Sequence, residues 1–223
     1  MNLPLALAVS GSNVTGDVPF SCALRLPDRL VEARSPAGSR GDLAALTAEL
    51  CAAHAVRAEQ IAEVRLDLGP GSYTGLRVAV TFVRFLQHFG AVPVLAVDSL
   101  ALLANAAPAP ARAGRRLLPV LDARRHRFHH ASFRLDGDRL SPLAEPRAVP
   151  LAVVLAEAVA GDLFVVPEAV EVQIGAGLRD TGAGVHVARA IAAVDLFAPG
   201  LPFARCAPEA LEPRYLMASY AED

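Results

Sequence analysis

One glycine-rich stretch has the residue types and the spacing to do chemistry. Residues 69–77 have the sequence GPGSYTGLR, with three glycines, a proline and the hydroxyls of Ser72 and Thr74. At a helix N-terminus such a turn lets a ligand, usually a phosphate, approach backbone N–H groups. The alternative is a turn that needs glycine only for its backbone conformation. We expect Gly71 and Gly75 to be structural, either through a positive φ or through close packing, so that valine at either position lowers thermal stability.

The residues that would complete a phosphotransfer or hydrolase site are missing. All 21 basic residues are arginine, so the chain has no GK[ST] motif, and its glycine spacing is not GxGxxG. A serine hydrolase would need a GxSxG turn around Ser72. A metalloprotease would need HExxH, which does not occur.

Residues 124–130 (RRHRFHH) concentrate positive charge and three histidines. On a strand, His126 and His130 share one face while His129 points away, and no cysteine or acid pair completes a ligand set. We therefore expect a solvated or interfacial strand and no metal. The arginines here, together with Arg112, Arg115 and Arg116, could contact RNA phosphates, or they could discourage pairing at a sheet edge.

Apolar periodicity places the turn between a strand at 61–68 and a helix at 76–89. The rest of the first half predicts strands at 3–9, 20–26, 29–34 and 93–97, a helix capped by Asp42, and a helix starting at 98–99. The composition of residues 106–114 (AAPAPARAG) is typical of a linker, which predicts lobes at 1–106 and 107–223. In the second half we expect strands at 117–121, 128–135, 163–166 and 172–174, a hairpin near Leu140, and helices at 151–160 and 184–193.

Four segments resemble the bacterial TsaB (YeaZ) family and follow the family's order. Residues 69–77 resemble its GPGSFTGLR sequence, and residues 93–100 (PVLAVDSL) resemble IPVVGVSSL. Residues 121–125 (LDARR) resemble AIDAR, and residues 213–216 (PRYL) resemble the terminal PxYLR. The resemblance implies the duplicated α/β fold of actin and sugar kinases, which is ribonuclease H-like, with two lobes of mixed sheets flanked by helices.

The same resemblance implies a non-catalytic subunit of tRNA threonylcarbamoyladenosine synthesis. Such a subunit docks to a catalytic paralogue, with an ATPase subunit as a further partner and with tRNA contacted through the partner. The chain departs from the family in two places: the acid of an Asp-Thr-Ser-Thr type turn falls at Ala8, and a histidine-serine-glutamate motif falls at residues 39–42 (SRGD). Alanine cannot coordinate Mg²⁺, so we expect no catalytic residue, no metal and no cofactor. A nucleotide-dependent enzyme of the same superfamily, and a homodimeric relative outside the tRNA pathway, stay open.

The helix predicted at 76–89 is apolar around most of its circumference. Such a helix is buried on two sides within its domain, or it buries one side against another chain. The resemblance favours the second case, because TsaB proteins pair through first-lobe helices with themselves or with their catalytic partner, and so we expect a homodimer when the chain is alone. The expected interface residues are Leu76, Val80, Phe82, Val83 and Leu86, with Leu46 and Leu50; those of the turn are Gly69, Pro70, Gly71, Ser72, Tyr73, Thr74, Gly75 and Arg77.

Composition indicates a globular protein without a strong overall field. Hydrophobic residues make up 53% and charged residues 20% of the 223, and the formal net charge is −2. That charge argues against binding nucleic acid through the whole surface. Three scattered cysteines and the lack of a signal peptide or a long apolar span predict a soluble protein of the reducing cytoplasm, with no membrane contact.

Overall fold

The computed structural model describes residues 3–36 and 41–216 and divides the chain into two compact units. The first unit contains the chain up to Ser99 together with Ala190–Ala198 and Phe203–Pro213. The second contains Leu100–Arg189, Pro199–Pro202 and residues 214–216. Ser39 and Arg40 of the SRGD segment lie outside the described residues.

The helices and strands follow the predicted order through the first half of the chain. In sequence they are β1 (Ala6–Ser10), β2 (Ser21–Arg25), β3 (Leu30–Arg34), α1 (Leu43–Ala53), β4 (Glu63–Asp67), α2 (Tyr73–Gly90), β5 (Val94–Val97) and α3 (Ser99–Asn105). Asp42 is the N-cap of α1, as predicted, and its side chain accepts a hydrogen bond from the amide of Ala45 at 3.0 Å.

The remaining elements include a short helix inside the predicted linker. They are α4 (Ala109–Arg112), β6 (Arg116–Asp122), β7 (Arg127–Asp136), β8 (Arg139–Pro150), α5 (Leu151–Glu157), β9 (Leu163–Pro167), α6 (Glu168–Asp180), β10 (Gly184–Ala188) and β11 (Ala204–Cys206). Two predictions were wrong: residues 172–174 lie in helix α6, and residues 184–188 form strand β10. Among the described residues no helix is both long enough and apolar enough to span a bilayer.

The first unit is built on a six-stranded mixed sheet with the order β11-β5-β4-β1-β2-β3. Strands β1, β4 and β5 are parallel, so their carboxyl ends meet at one edge of the sheet. All five residues of β1 are buried, which explains why this strand is a nearly continuous apolar run. Helices α1 and α2 contribute Leu50, Val80 and Val83 to the core of this unit.

The second unit has a five-stranded sheet with the order β10-β9-β6-β7-β8. Its parallel strands are β6, β9 and β10, and its antiparallel strands are β7 and β8. Each unit therefore contains the succession of three strands, a helix, a strand, a helix and a strand, with matching strand orders β5-β4-β1-β2-β3 and β10-β9-β6-β7-β8. This is the duplicated α/β fold that the sequence predicts.

Candidate functional site

The glycine-rich turn follows the carboxyl end of β4 and runs directly into α2. The helix begins at Tyr73, three residues earlier than predicted, and Ser72 is its N-cap. The Ser72 hydroxyl accepts a hydrogen bond from the amide of Gly75 at 3.2 Å. Residues 73–75 are thus the first turn of a helix.

Two glycines of this stretch allow backbone to touch backbone. A Cβ atom at Gly75 would lie 2.1 Å from the carbonyl oxygen of Gly11, and one at Gly71 would lie 2.3 Å from the carbonyl oxygen of Ser12. A positive φ of 104° occurs instead at Gly69, where a side chain would be strained. The turn is thereby packed against the loop that follows β1.

Several amides of the turn are used within the protein itself. The Gly69 amide donates to the Ser99 hydroxyl at 3.1 Å, and the Ser72 amide donates to the carbonyl of Ser12 at 2.7 Å. The Gly75 amide is held by Ser72. A phosphate-binding turn needs such N–H groups to point at the ligand. These three amides donate to groups of the protein instead, so they do not form a phosphate-binding site.

A buried polar cluster that the sequence analysis does not predict lies beneath the turn. Asp67, the last residue of β4, is fully buried with Ser10, Ser12 and Ser99 around it. The Ser99 hydroxyl donates to Asp67 Oδ2 at 3.0 Å, while Oδ1 has no hydrogen-bond partner in the described part of the chain. Burial raises the pKa of Asp67, and the three serine hydroxyls act in the opposite direction. The available signal was an acid at the end of an otherwise apolar strand.

Ala8 lies inside β1, two residues before its end, and is fully buried. Ser10, the last residue of this strand, interacts with the Asp67 carboxylate at the end of the neighbouring parallel strand β4. The chain thus has a carboxyl group near the expected place, but on the neighbouring strand and without solvent access. The exposed residues of the turn include Tyr73 and Thr74.

Tyr73 also interacts with Arg77 one helical turn later. The Arg77 guanidinium donates to the Tyr73 hydroxyl at 2.8 Å and lies 5.4 Å from the centre of its ring. Pro70 is buried and follows a cis peptide bond.

Helix α2 faces the core with one side and solvent with another. Leu76, Val80 and Val83 are at most 2% exposed and point inward, as does Leu50 of α1 at 7%. Phe82, Leu86 and Leu46 are half-buried. The interface role given to these residues stays a prediction, but the buried ones already have a packing role within their own unit.

The solvent side of α2 carries an apolar strip formed by Val78, Phe82, Phe85 and Phe89. These positions are spaced by four, three and four residues, so they lie on one line along the helix. Val78 is 39% exposed, Phe85 58% and Phe89 78%. The rings of Phe85 and Phe89 stack with centroids 6.0 Å apart. Arg77 and Thr81 border a depression in this strip.

Most of the length of the chain matches one known protein family. Residues 40–193 match the family described as TsaD, tRNA N6-adenosine threonylcarbamoyltransferase. The chain belongs to this family. As a member of the TsaD family, it is a protein related to tRNA modification. Comparison with curated proteins gives no match.

Solved structures place this TsaD-family chain in the YeaZ fold, in agreement with the sequence resemblance. YeaZ from Pseudomonas aeruginosa is 19% identical, with a TM-score of 0.74 over 96% of this chain and all of that one. A Pseudomonas aeruginosa protein described as uncharacterized, with similarity to the peptidase YeaZ, is also 19% identical over the same shares, with a TM-score of 0.73. At this identity the likeness establishes the fold.

The histidine and arginine run of the TsaD-family chain does not gather ligands. His126 lies in the β6–β7 turn and not on a strand, which corrects the predicted shared face with His130. His130 is buried, and its Nδ1 atom lies 3.2 Å from the carbonyl oxygen of Pro119. Burial also lowers the pKa of the neighbouring residue His129 to about 4. Within residues 3–36 and 41–216 no three histidine, cysteine or acidic side chains are grouped as metal ligands.

The three cysteines are free thiols. Cys22 is buried, and burial raises its pKa to about 11, while Cys51 and Cys206 are half-buried. A thiol with a raised pKa is a poor nucleophile at neutral pH, so Cys22 has a packing role.

Proposed function

We propose that this chain is a non-catalytic subunit that docks to a catalytic paralogue in tRNA threonylcarbamoyladenosine synthesis and supports its activity. Membership of the TsaD family supports the pathway. The resemblance of residues 69–77 to the TsaB sequence supports the subunit role. An ATPase subunit is the further partner that the same resemblance implies.

The observation that carries the docking role is the apolar strip of α2. Phe82 packs partly against the core of the unit, but Phe85 and Phe89 are exposed on the side of the helix away from that core, which therefore does not require them to be large and apolar. Exposed aromatic side chains in a row are typical of a protein interface. The polar groups of Arg77 and Thr81 beside them suit the rim of such an interface.

The chemistry of the turn supports a role without catalysis. Three of its amides donate within the protein, and Asp67 is sealed beneath it. In the second unit the corresponding β9–α6 connection has no glycine, and Glu168 and Glu171 occupy the first turn of α6. Those carboxylates disfavour an anion at that helix N-terminus.

Replacement of Phe85 by aspartate tests the docking role. Because Phe85 is mostly exposed, the Phe85→Asp variant should fold normally but lose co-purification with the catalytic paralogue. Val172→Asp is the matched control, since Val172 is an apolar residue of α6 that is 79% exposed. Circular dichroism checks folding, and analytical ultracentrifugation shows whether the same variant also loses self-association.

The outcomes separate the remaining alternatives. Paralogue binding that survives Phe85→Asp, with Val172→Asp also unchanged, would refute the apolar strip as the docking surface. A wild-type chain that dimerises but never binds the paralogue would instead be a homodimeric relative outside the pathway. A saturable isotherm with Mg-ATP would favour the nucleotide-dependent enzyme.

A further inference from the structure

The tip of the β6–β7 hairpin has a backbone conformation that its side chains disfavour. Arg124, Arg125 and His126 have φ values of 66°, 51° and 59°. The Arg127 amide donates to the Arg124 carbonyl at 3.0 Å, so Arg125 and His126 are the two central residues of a tight turn. Hairpins with positive φ at both central positions strongly favour Asn-Gly there, because residues with a Cβ are strained in this region.

The strained tip presents positive charge to solvent. The side chains of Arg124, Arg125 and His126 are all exposed. Asp122 accepts a hydrogen bond from the Arg124 amide at 2.7 Å, and its carboxylate lies 3.7 Å from the Arg124 guanidinium, which is 80% exposed. A pair this exposed is weak, so Asp122 braces the turn and leaves the guanidinium able to exchange partners.

The neighbouring arginines of this region are engaged differently. Arg127 donates to the carbonyl of Ala148, and Arg116 forms a bidentate pair with the buried carboxylate of Asp162 at 2.5 and 3.2 Å. These two guanidinium groups stabilise the second unit. The exposed charge of the run is therefore concentrated at the tip.

We propose that this tip binds the phosphate backbone of RNA, with Arg124 and Arg125 as the phosphate-contacting residues. A guanidinium matches a phosphate through two parallel hydrogen bonds. Contacts from Arg124 and Arg125 to phosphate oxygens carry no base information, so the contact is independent of base sequence. The description of the family names tRNA as its substrate, which identifies RNA as the polyanion. The inference goes beyond the proposed docking role and does not depend on it.

Titration of the full chain with an unmodified tRNA transcript, followed by fluorescence anisotropy, tests the proposal. Two phosphate contacts predict that affinity falls about eightfold between about 50 and about 200 mM salt. The double variant Arg124→Ser/Arg125→Ser should bind about tenfold more weakly at the lower salt and lose most of the salt dependence. Arg57→Ser is the matched control, because Arg57 is also 80% exposed and also lies beside an acid, Glu59.

A second variant separates binding from folding. Arg125→Asn/His126→Gly gives the turn the residues that its conformation favours, so we expect the melting temperature to rise by about 2–6 °C while RNA affinity falls. Unchanged affinity in both double variants, or a loss equal to that of Arg57→Ser, would overturn the proposal. So would a wild-type chain that binds no tRNA at low salt. If the variants lose the catalytic paralogue and keep RNA, the tip is a protein contact and the proposal is wrong; Phe85→Asp tests the docking role separately.

Discussion

Replacing Gly75 with alanine adds one methyl group where two backbone segments touch. The new Cβ would lie 2.1 Å from the carbonyl oxygen of Gly11, whereas ordinary contacts of this kind are 3.4–4 Å. Neither partner is a flexible side chain, so α2 or the loop after β1 must move by more than about 1 Å. Overpacking costs about 1–3 kcal/mol, and a contact between two backbones belongs at the upper end. Alanine regains about 1 kcal/mol in a helix, which leaves a net destabilisation of about 2 kcal/mol.

Thermal unfolding followed by circular dichroism measures this difference. For a chain of this size, about 2 kcal/mol lowers the melting temperature by about 4–8 °C. Gly90→Ala is the matched control, because Gly90 ends the same helix and a Cβ there would meet no atom within 4 Å. We expect the control to melt at or slightly above the wild-type temperature. A Gly75→Ala protein that melts as high as the Gly90→Ala protein would refute the close-packing explanation.

Three further predictions concern the core, the buried acid and the nucleotide. Val83→Asp buries an unpaired charge at a fully buried position, so we expect a loss of about 4 kcal/mol or more in urea unfolding; a stable, folded variant would show that Val83 does not pack inward. Burial raises the pKa of Asp67 in the folded chain above the ordinary 3.8. As pH rises, Asp67 therefore loses its proton in the unfolded chain before it does so in the folded chain. The stabilisation that comes from protonated Asp67 is thus lost as pH rises from 3.8 through the folded pKa, at about 1.4 kcal/mol per pH unit. Asp67→Asn should flatten that slope in urea titrations, and an unchanged slope would contradict the assignment. Calorimetric titration of the wild-type chain with Mg-ATP should show no micromolar binding, because no lysine exists and Asp67 is sealed; a one-to-one isotherm that a substitution at Gly71 abolishes would contradict the non-catalytic role.

Local patterns predicted the first unit well because its elements carry unambiguous signals. Strand β4 alternates, Asp42 supplies an N-cap, and the turn has a composition that few other structures need. In the second unit, local patterns predict the wrong type of element at residues 172–174 and 184–188. Val170, Ile174 and Leu178 recur at helical spacing and are buried in α6, but the alternation around Val172 resembled a strand. The alanine-rich sequence after Gly184 resembled a helix.

Because of these two wrong assignments, the sequence does not reveal that the second half repeats the order of elements of the first half. With α6 and β10 exchanged in type, the second half resembles the first only faintly, and the prediction of a duplicated fold then rests mainly on the family resemblance. Correct assignment makes the two strand orders match. Local residue types do not decide between helix and strand for α6 and β10, because tertiary packing overrides local propensity in short elements.

The return of the C-terminal segment to the first unit has no local signal at all. Leu211 is fully buried in the core of that unit, and β11 pairs with β5. Arg65 of β4 donates to the Leu196 carbonyl at 3.0 Å and lies 5.3 Å and 4.9 Å from the rings of Phe197 and Phe203. These contacts join residues more than a hundred positions apart in the sequence, which periodicity cannot detect.

The sequence does not predict which face of α2 packs against the core, and the glycine turn helps to account for the observed orientation. Periodicity gives the angles between side chains on a helix but not which of two apolar faces meets the core. The contact between Gly75 and Gly11 brings the start of the helix against the β1 loop, and Gly75 lies on the same buried side of the helix as Ala79 and Val83. With that side of the helix buried, Val78, Phe85 and Phe89 of the apolar strip face solvent. Loss of the Gly75 contact should therefore weaken partner docking as well as folding, although the strip itself is unchanged.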